Sequence, residues 1–314
     1  MKQAIRRAAG GLRRYILPLA ASFTLTLSPA QTAYAQLKVL ACEPEWAALA
    51  VELAGDKAAV TSATTALQDP HHIEARPSLI ARTRNADLVI CSGSELEAGW
   101  LPLLLRQSGN ARIQPGMPGF LEASQLVPRL EVPRVLDRAL GDVHPAGNPH
   151  IHLDPRNIAR VAAALKERLV QLDPANAATY DARSAAFLAR WHDAIVRWEA
   201  ASAPLKGLSM VVYHKNMSYL NAWLGMREVG SLEPKPGLPP TTAHLALLVA
   251  RMQAEPAKVI VYAAYNGAQA AQFLSARSKI PAVMLPFTVG GSDQARDLFG
   301  LFDDTLARLL AALK

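Results

Sequence analysis

Histidines are the residues of this sequence best suited to binding a metal, and three of them lie in short, distinct motifs. They are His71 in Asp-Pro-His-His, His150 in Asn-Pro-His-Ile-His, and His214 in Val-Val-Tyr-His. A neutral imidazole is a common zinc ligand, and three such rings with one oxygen ligand complete a tetrahedral site. The prolines before His71 and His150 restrict the backbone and favour preformed ring positions. The motifs therefore predict a metal site built from separate segments of the chain.

The remaining histidines carry a weaker signal, because a single histidine at a strand end more often packs or caps than binds a metal. His72, His144 and His152 are interpreted as solvated neighbours of the ligands. His192 and His244 lie in predicted helices and are given no role. Carboxylates beside the motifs are candidates to hold the ring N–H groups of the ligands from behind. These candidates are Asp69, Asp142 and Asp154.

The segments that must position these histidines alternate between strands and helices. The predicted strands cover residues 37–42, 59–62, 86–91, 208–213, 257–262 and 282–285. Such alternation predicts an α/β fold with parallel, doubly wound sheets, in which ligands bind beyond the carboxyl ends of the strands. His71 and His214 follow predicted strands, as this arrangement requires.

A long helical pattern separates the two groups of strands. Asp173-Pro174 is a helix-start signal, and the pattern continues to about residue 201. At about 1.5 Å per residue this helix is roughly 40 Å long, which suits a rigid connection between two lobes. We predict an N-terminal metal-binding lobe over residues 36–172, a linking helix over 173–203 and a C-terminal metal-binding lobe over 204–314.

The first residues have the composition of an export signal. A basic head without acidic residues precedes an apolar stretch from Tyr15 to about Leu27, and Ala33-Tyr34-Ala35 follows. The apolar stretch is too short for a membrane span, so residues 1–35 are predicted to be a cleavable signal peptide. The protein is then periplasmic. Arg13-Arg14 leaves both general secretion and twin-arginine export open.

Net charge and hydropathy argue against two classes of protein, namely nucleic-acid-binding proteins and integral membrane proteins. The whole chain carries a formal net charge of +7, but residues 1–35 hold five basic and no acidic side chains, which leaves +2 for the rest. No basic stripe with interleaved aromatic residues remains, so nucleic-acid binding is not expected. Beyond the signal segment no apolar run reaches the ~20 residues of a membrane helix, so the chain is not expected to be an integral membrane protein.

Two cysteines, Cys42 and Cys91, close predicted strands that could be neighbours in one sheet. In an oxidising compartment they could form a disulfide. Two buried free thiols are the slightly favoured alternative, and metal ligation by Cys42 is a third.

Taken with the motifs in order, the sequence resembles the ZnuA- and TroA-like family of metal-binding proteins that serve zinc and manganese ABC importers. The resemblance rests on Asp-Pro-His near residue 70, Asn-Pro-His-x-His-Leu-Asp-Pro at 148–155 and Tyr-His at 213–214. Further matches are Ala-Asp-Leu-Val at 86–89 and Glu-Pro at 233–234, before Pro-Pro at 239–240. It covers nearly the whole chain after residue 35 and implies two α/β lobes, one long joining helix and a metal in the cleft between the lobes.

By this resemblance, His71, His150 and His214 occupy the three histidine-ligand positions. The carboxylate that the family supplies after the last strand is missing from 284–291, and His152 replaces a usual aromatic residue. The fourth ligand is therefore open among Glu233, which is the first candidate, Asp293 and water.

We expect a protein that captures a divalent metal outside the cytoplasm and delivers it to an ABC permease, and not an enzyme. Three imidazoles favour zinc over manganese, which prefers oxygen ligands, although manganese or another divalent transition metal remains open. We expect a monomer. A secreted zinc-dependent hydrolase, a binder of an organic solute and a metallochaperone are the alternatives.

Overall fold

The computed structural model describes residues 36–134, 141 and 144–314. The predicted signal peptide, residues 1–35, lies outside the described residues, as does Asp142. Within the described ranges, no helix combines the length and the apolar character needed to cross a membrane.

The first half of the chain forms a parallel four-stranded sheet with the strand order β2-β1-β3-β4. The strands are β1 (Leu37–Ala41), β2 (Ala58–Ser62), β3 (Leu88–Cys91) and β4 (Phe120–Glu122). Helices α1 (Pro44–Ala54), α2 (Pro77–Asn85) and α3 (Leu101–Ser108) connect or flank them. All four residues of β3 are buried, as expected for a central strand covered on both faces.

The second half repeats this arrangement, with the strand order β6-β5-β7-β8 and parallel pairing throughout. The strands are β5 (Ser209–Val212), β6 (Arg227–Ser231), β7 (Val259–Ala263) and β8 (Ala282–Leu285). The helices are α6 (Ser218–Leu224), α7 (Thr242–Ala254), α8 (Gln269–Ser278) and α9 (Leu298–Ala311).

Two long helices lie between the sheets in sequence. These are α4 (Pro155–Leu172) and α5 (Ala177–Ala201). The Asp154 side chain accepts the N–H of Arg156, so the predicted cap of α4 is confirmed. The 25 residues of α5 extend over about 38 Å. The predicted fold class, two parallel α/β sheets with one long joining helix, is therefore confirmed, while the exact lobe boundaries stay a prediction.

The joining helix α5 is held in place by one row of buried side chains. These residues recur every three or four positions, the spacing that places side chains on one face of a helix. The buried residues of α5 are Tyr180, Ser184, Phe187, Trp191, Ala194 and Trp198. This helix packs against α1 from the first half and α9 from the second. The indole N–H of Trp198 donates to Asp303 at 2.6 Å, which ties it to α9. These contacts resist bending between the two halves.

Strands β4 and β6 are absent from the sequence-based prediction. Each lies at the edge of its sheet. Strand β4 has only three residues, and β6 begins with Arg227 and Glu228. Only Leu121 in β4 and Val229 in β6 are fully buried, so neither strand contains a run of buried apolar residues. Their sequences therefore lack the pattern that reveals a buried strand.

Cys42 and Cys91 form a disulfide, so the slightly favoured expectation of free thiols was wrong. Strands β1 and β3 are direct neighbours, and Cys42 donates its backbone N–H to Ile90 at 2.8 Å. This pairing brings the two Cα atoms to 4.8 Å, within the range that a disulfide spans. With both sulfurs in the disulfide, ligation of a metal by Cys42 is excluded for this oxidised form.

Candidate metal centre

Three histidines from distant parts of the chain meet at the carboxyl ends of the two sheets. His71 lies in the loop after β2, His150 precedes α4, and His214 follows β5. One ring nitrogen of each lies within 4.8 Å of those of the other two. Their ring centroids are 5.4 to 5.7 Å apart. The structure thus brings together all three histidines predicted from the motifs.

The His71 ring is held from behind by Asp69. Oδ1 of Asp69 lies 2.7 Å from Nδ1 of His71 and also accepts the backbone N–H of His71. Burial raises the pKa of Asp69, but the hydrogen bonds from His71 outweigh it and lower the pKa below its ordinary value. An ionised Asp69 keeps the ring proton on Nδ1 and leaves the lone pair of Nε2 for a metal. The predicted supporting position of Asp69 is therefore confirmed.

The His214 ring has an equivalent support from Glu233. Oε2 of Glu233 lies 2.7 Å from Nδ1 of His214 and accepts the backbone N–H of Gly237 at 3.0 Å. The backbone N–H of Glu233 donates to the carbonyl of Tyr213, next to His214. This position sets the tautomer of His214 and turns its Nε2 toward the other two rings.

His150 is the most deeply buried of the three, with 1% of its surface exposed. Its backbone N–H donates to Oδ1 of Asn148 at 3.0 Å, but neither ring nitrogen has a partner among the described residues. Burial lowers its pKa well below the ordinary value, and the neighbouring His71 and His214 lower it further. A neutral ring with an unpartnered buried nitrogen is costly unless something binds it, and a metal ion would do so.

The two other carboxylate candidates from the sequence lie elsewhere. Asp154 caps α4 instead of contacting a histidine ring. Asp293 is exposed, and its carbonyl accepts a hydrogen bond from Arg296. Within residues 36–134, 141 and 144–314, neither Asp293 nor Glu233 belongs to a group of clustered ligand atoms. Direct ligation by Glu233 stays a prediction.

The position after β8, where the sequence lacks a carboxylate, is occupied by Phe287. Its ring packs edge-on against His150 at 5.6 Å and His152 at 5.0 Å. Phe287 has a φ of 67°, a left-handed conformation that non-glycine residues seldom adopt. An apolar ring therefore closes this side of the histidine cluster.

The interpretation of His152 and His144 as solvated neighbours was wrong. His152 is buried, and its Nε2 donates to the carbonyl of Phe287 at 2.9 Å. Its Nδ1 lies 3.1 Å from Oε1 of Glu45, without the geometry of a hydrogen bond. Nε2 of His144 lies 3.3 Å from Nε2 of His71. Burial, followed by the charges of His71 and His214, lowers the pKa of His144 to about 4. The only sequence signal for either role is their closeness to His150.

Known proteins share both the sequence pattern and the fold. The chain matches the family model for the periplasmic zinc-uptake complex component A over residues 39–312. The high-affinity zinc uptake system protein ZnuA of Bacillus subtilis (strain 168) is 22% identical over 267 residues, which are 84% of this chain and 82% of that protein. A manganese ABC transporter substrate-binding lipoprotein, scaA of Streptococcus gordonii, is 27% identical over 161 residues, or 51% of this chain and 50% of that protein.

A crystal structure of ZnuA gives a TM-score of 0.71 at 20% identity and covers 87% of this chain and 99% of that one. At this identity the structural likeness shows a shared fold.

Proposed function

We propose that this chain, which belongs to the family of the periplasmic zinc-uptake complex component A, captures zinc and delivers it to an ABC-type importer. Family membership gives the coarser function, binding of a divalent metal for ABC-type uptake outside the cytoplasm. The chain is accordingly a solute-binding protein and not an enzyme, so the alternative of a zinc-dependent hydrolase was wrong. Zinc as the metal, the periplasm as the location and a monomeric state are the finer parts of the proposal.

The single observation that carries the proposal is the convergence of three imidazoles. His71, His150 and His214 are the proposed ligands, because their ring nitrogens lie within 4.8 Å of one another. An organic solute would need several hydrogen-bonding or charged groups around a larger cavity. The described site instead offers three imidazole nitrogens that lie close to one another.

The choice of zinc rests on the chemistry of these donors. Imidazole suits zinc, whereas manganese favours carboxylate, carbonyl and water oxygens. Two carboxylates beside the cluster, those of Asp69 and Glu233, contact the far ring nitrogens of His71 and His214. We propose that these carboxylates act on the metal through the rings they hold.

Capture and release follow from the positions of the ligands along the chain. His71 and His150 belong to the first half of the chain and His214 to the second. A metal held by all three therefore links the loops of both halves, and it favours whichever arrangement of those loops binds it best. Because α5 packs against both halves, we expect the change on metal release to lie in the loops and not in the joining helix.

Calorimetric titration of the metal-stripped protein tests this proposal. We expect one zinc site with an affinity at least ~100-fold above that for manganese, since the donors are nitrogens. His71→Ala, His150→Ala and His214→Ala should each abolish tight binding, whereas His192→Ala, at an exposed position on α5, should not. Tight zinc binding that survives all three ligand substitutions would disprove the site. Sedimentation of the same protein checks the monomeric state.

A further inference from the structure

A fourth histidine lies against the proposed three-histidine site. His144 Nε2 is 3.3 Å from His71 Nε2, and the centroids of these two rings are 5.3 Å apart. The His144 ring is also 6.4 Å from that of His150, centroid to centroid. No other pair of histidine ring nitrogens among the described residues approaches within hydrogen-bond distance.

The separation of the two Nε2 atoms matches a shared metal better than it matches a hydrogen bond. Two nitrogens bound to one tetrahedral zinc at about 2.0–2.1 Å are about 3.3–3.4 Å from each other. The proton of His71 is held on Nδ1 by Asp69, so its Nε2 presents a lone pair. Two Nε2 atoms at this distance can both coordinate one metal ion that lies between them.

The segment that carries His144 is held in place on both sides. The backbone of Ser94 lies close enough to the ring to oppose the lowering of its pKa. Gly147 lies so close to the chain that a Cβ there would stand 2.8 Å from the carbonyl oxygen of Leu130. The N–H of Gly147 donates to the carbonyl of His144 at 3.0 Å, which closes a tight turn. These contacts keep His144 facing His71.

Among the described residues, no carboxylate or thiol joins the ring nitrogens of the three histidines in one group of ligand atoms. Phe287 closes the side near β8 with an apolar ring. Glu233 is engaged with Nδ1 of His214 and the N–H of Gly237. His144 stands outside the set of three nitrogens that lie within 4.8 Å of one another, so coordination by His144 would require its turn to move toward His150 and His214 when a metal binds.

We propose that His144 is the fourth ligand of the metal and takes the place of the carboxylate that is missing after β8. The proposal rests on the proposed zinc function and on His71, His150 and His214 as the other three ligands. It assigns an all-imidazole site, closed by a turn that precedes His150 in sequence. Such a site would discriminate against manganese more strongly than a site with a carboxylate ligand.

Direct observation of the metal–nitrogen bonds provides the test. The metal-stripped, exported protein is labelled with nitrogen-15 in its histidine rings and loaded with one equivalent of cadmium-113. A bound ring nitrogen then shows scalar coupling to the cadmium nucleus. We expect coupling to one nitrogen each of His71, His144, His150 and His214. Coupling to the other three without His144 would overturn this inference and leave the proposed function standing. Absence of coupling to any histidine would overturn the proposed function as well.

A pair of substitutions gives a second readout. His144→Gln should weaken zinc binding at least ~10-fold, the loss typical for disturbing a metal site, and should change the visible spectrum of the cobalt-loaded protein. His72→Gln is the matched control, because His72 is an exposed histidine next to His71. It should leave both properties unchanged. Equal zinc affinity and an unchanged cobalt spectrum in His144→Gln would disprove the fourth ligand. Thermal unfolding without metal verifies that both variants fold.

Discussion

Oε2 of Glu233 lies 2.7 Å from Nδ1 of His214 and at the same time accepts the backbone N–H of Gly237 at 3.0 Å. The carboxylate is therefore fixed by the loop that follows β6, and it fixes the ring that follows β5. A carboxylate behind a ligating histidine sets the tautomer and increases the basicity of the nitrogen that faces the metal. The side chain of Glu233 thus contacts His214, one of the three proposed metal ligands.

Removal of this carboxylate should weaken metal binding without abolishing it. We predict that Glu233→Ala lowers zinc affinity about 10- to 100-fold and that Glu233→Gln lowers it less, because the amide oxygen can still accept the ring N–H. Competition with a chromophoric chelator measures both. Asp293→Asn, at the exposed alternative candidate, should leave the affinity unchanged. A complete loss of binding in Glu233→Gln would instead point to direct ligation.

Proton release on zinc binding should be smaller than three ordinary histidines would give. With a pKa near 6.5, three imidazoles would release about 2.7 protons at pH 5.5. Burial lowers the pKa of His150 well below 6.5, so this ring is already neutral and has no proton to release. His144 is neutral for the same reason, since its pKa is lowered to about 4. We predict release of no more than two protons per zinc.

Calorimetry in buffers of different ionisation enthalpy measures this number. A release close to three at pH 5.5 would show that His150 is protonated in the metal-free protein.

Much of the fold was predictable because the signals were local. Asp154-Pro155 marks the start of α4, since a capping side chain and a proline at the first turn act within a few residues. The buried stripe of α5 likewise repeats along one segment. Strand β6 was not predictable from its own residues, because they contain little apolar character. Its strand conformation depends on pairing with β5 in the folded protein.

The residues of the metal site also divide into those that the sequence could predict and those that it could not. Proline-flanked motifs identified His71 and His150, and position after a strand identified His214. The sequence could not show that Glu233 contacts Nδ1 of His214, because this contact depends on how two loops from neighbouring strands meet. The disulfide was undecided for the same reason, since only the strand order places Cys42 beside Cys91.

Two buried carboxyl groups should make the stability of the protein depend on pH. The N–H of Ser92 donates to Oε2 of Glu43 at 3.2 Å and to Oε1 of Glu97 at 2.8 Å. Burial, and then the charge of Glu97, raises the pKa of Glu43 well above its ordinary value. Burial raises the pKa of Glu97 to about 7. Both carboxyl groups of the folded protein thus keep protons that they release near pH 4.5 in the unfolded chain, so the free energy of unfolding falls as pH rises from 4.5 to about 7.

We predict that Glu43→Gln reduces this dependence, because the amide at position 43 carries no titratable proton while burial still raises the pKa of Glu97. Each retained proton contributes a slope of about 1.4 kcal/mol per pH unit, so the variant should lose about half of the wild-type slope between pH 5 and 7. Urea unfolding at several pH values measures it. Glu74→Gln, at an exposed glutamate, is the control and should keep the wild-type slope. Identical slopes in Glu43→Gln and the wild type would show that Glu43 keeps no extra proton in the folded protein.

His152 and Glu45 form a buried pair that joins α1 to the loop after β8. Only 1% of the His152 side chain and 2% of the Glu45 side chain are exposed. Thr288 donates its hydroxyl proton to the other oxygen of Glu45, and His152 donates to the carbonyl of Phe287. The pair therefore fixes the backbone beneath the Phe287 ring that closes the site.

Replacing the histidine alone should cost much more than replacing both members of the pair. His152→Phe keeps an aromatic ring at this position but leaves Glu45 buried with only Thr288 as its partner. A buried polar group left without a partner typically costs about 1–3 kcal/mol of unfolding free energy. Adding Glu45→Gln should recover most of this loss, because an amide is less costly to bury than a carboxylate and its oxygen still accepts the Thr288 hydroxyl. Denaturant unfolding of the two single variants and the double variant measures the coupling. If the single and double variants are equally stable, the pair makes no coupled contribution, and packing around Phe287 alone must hold this loop.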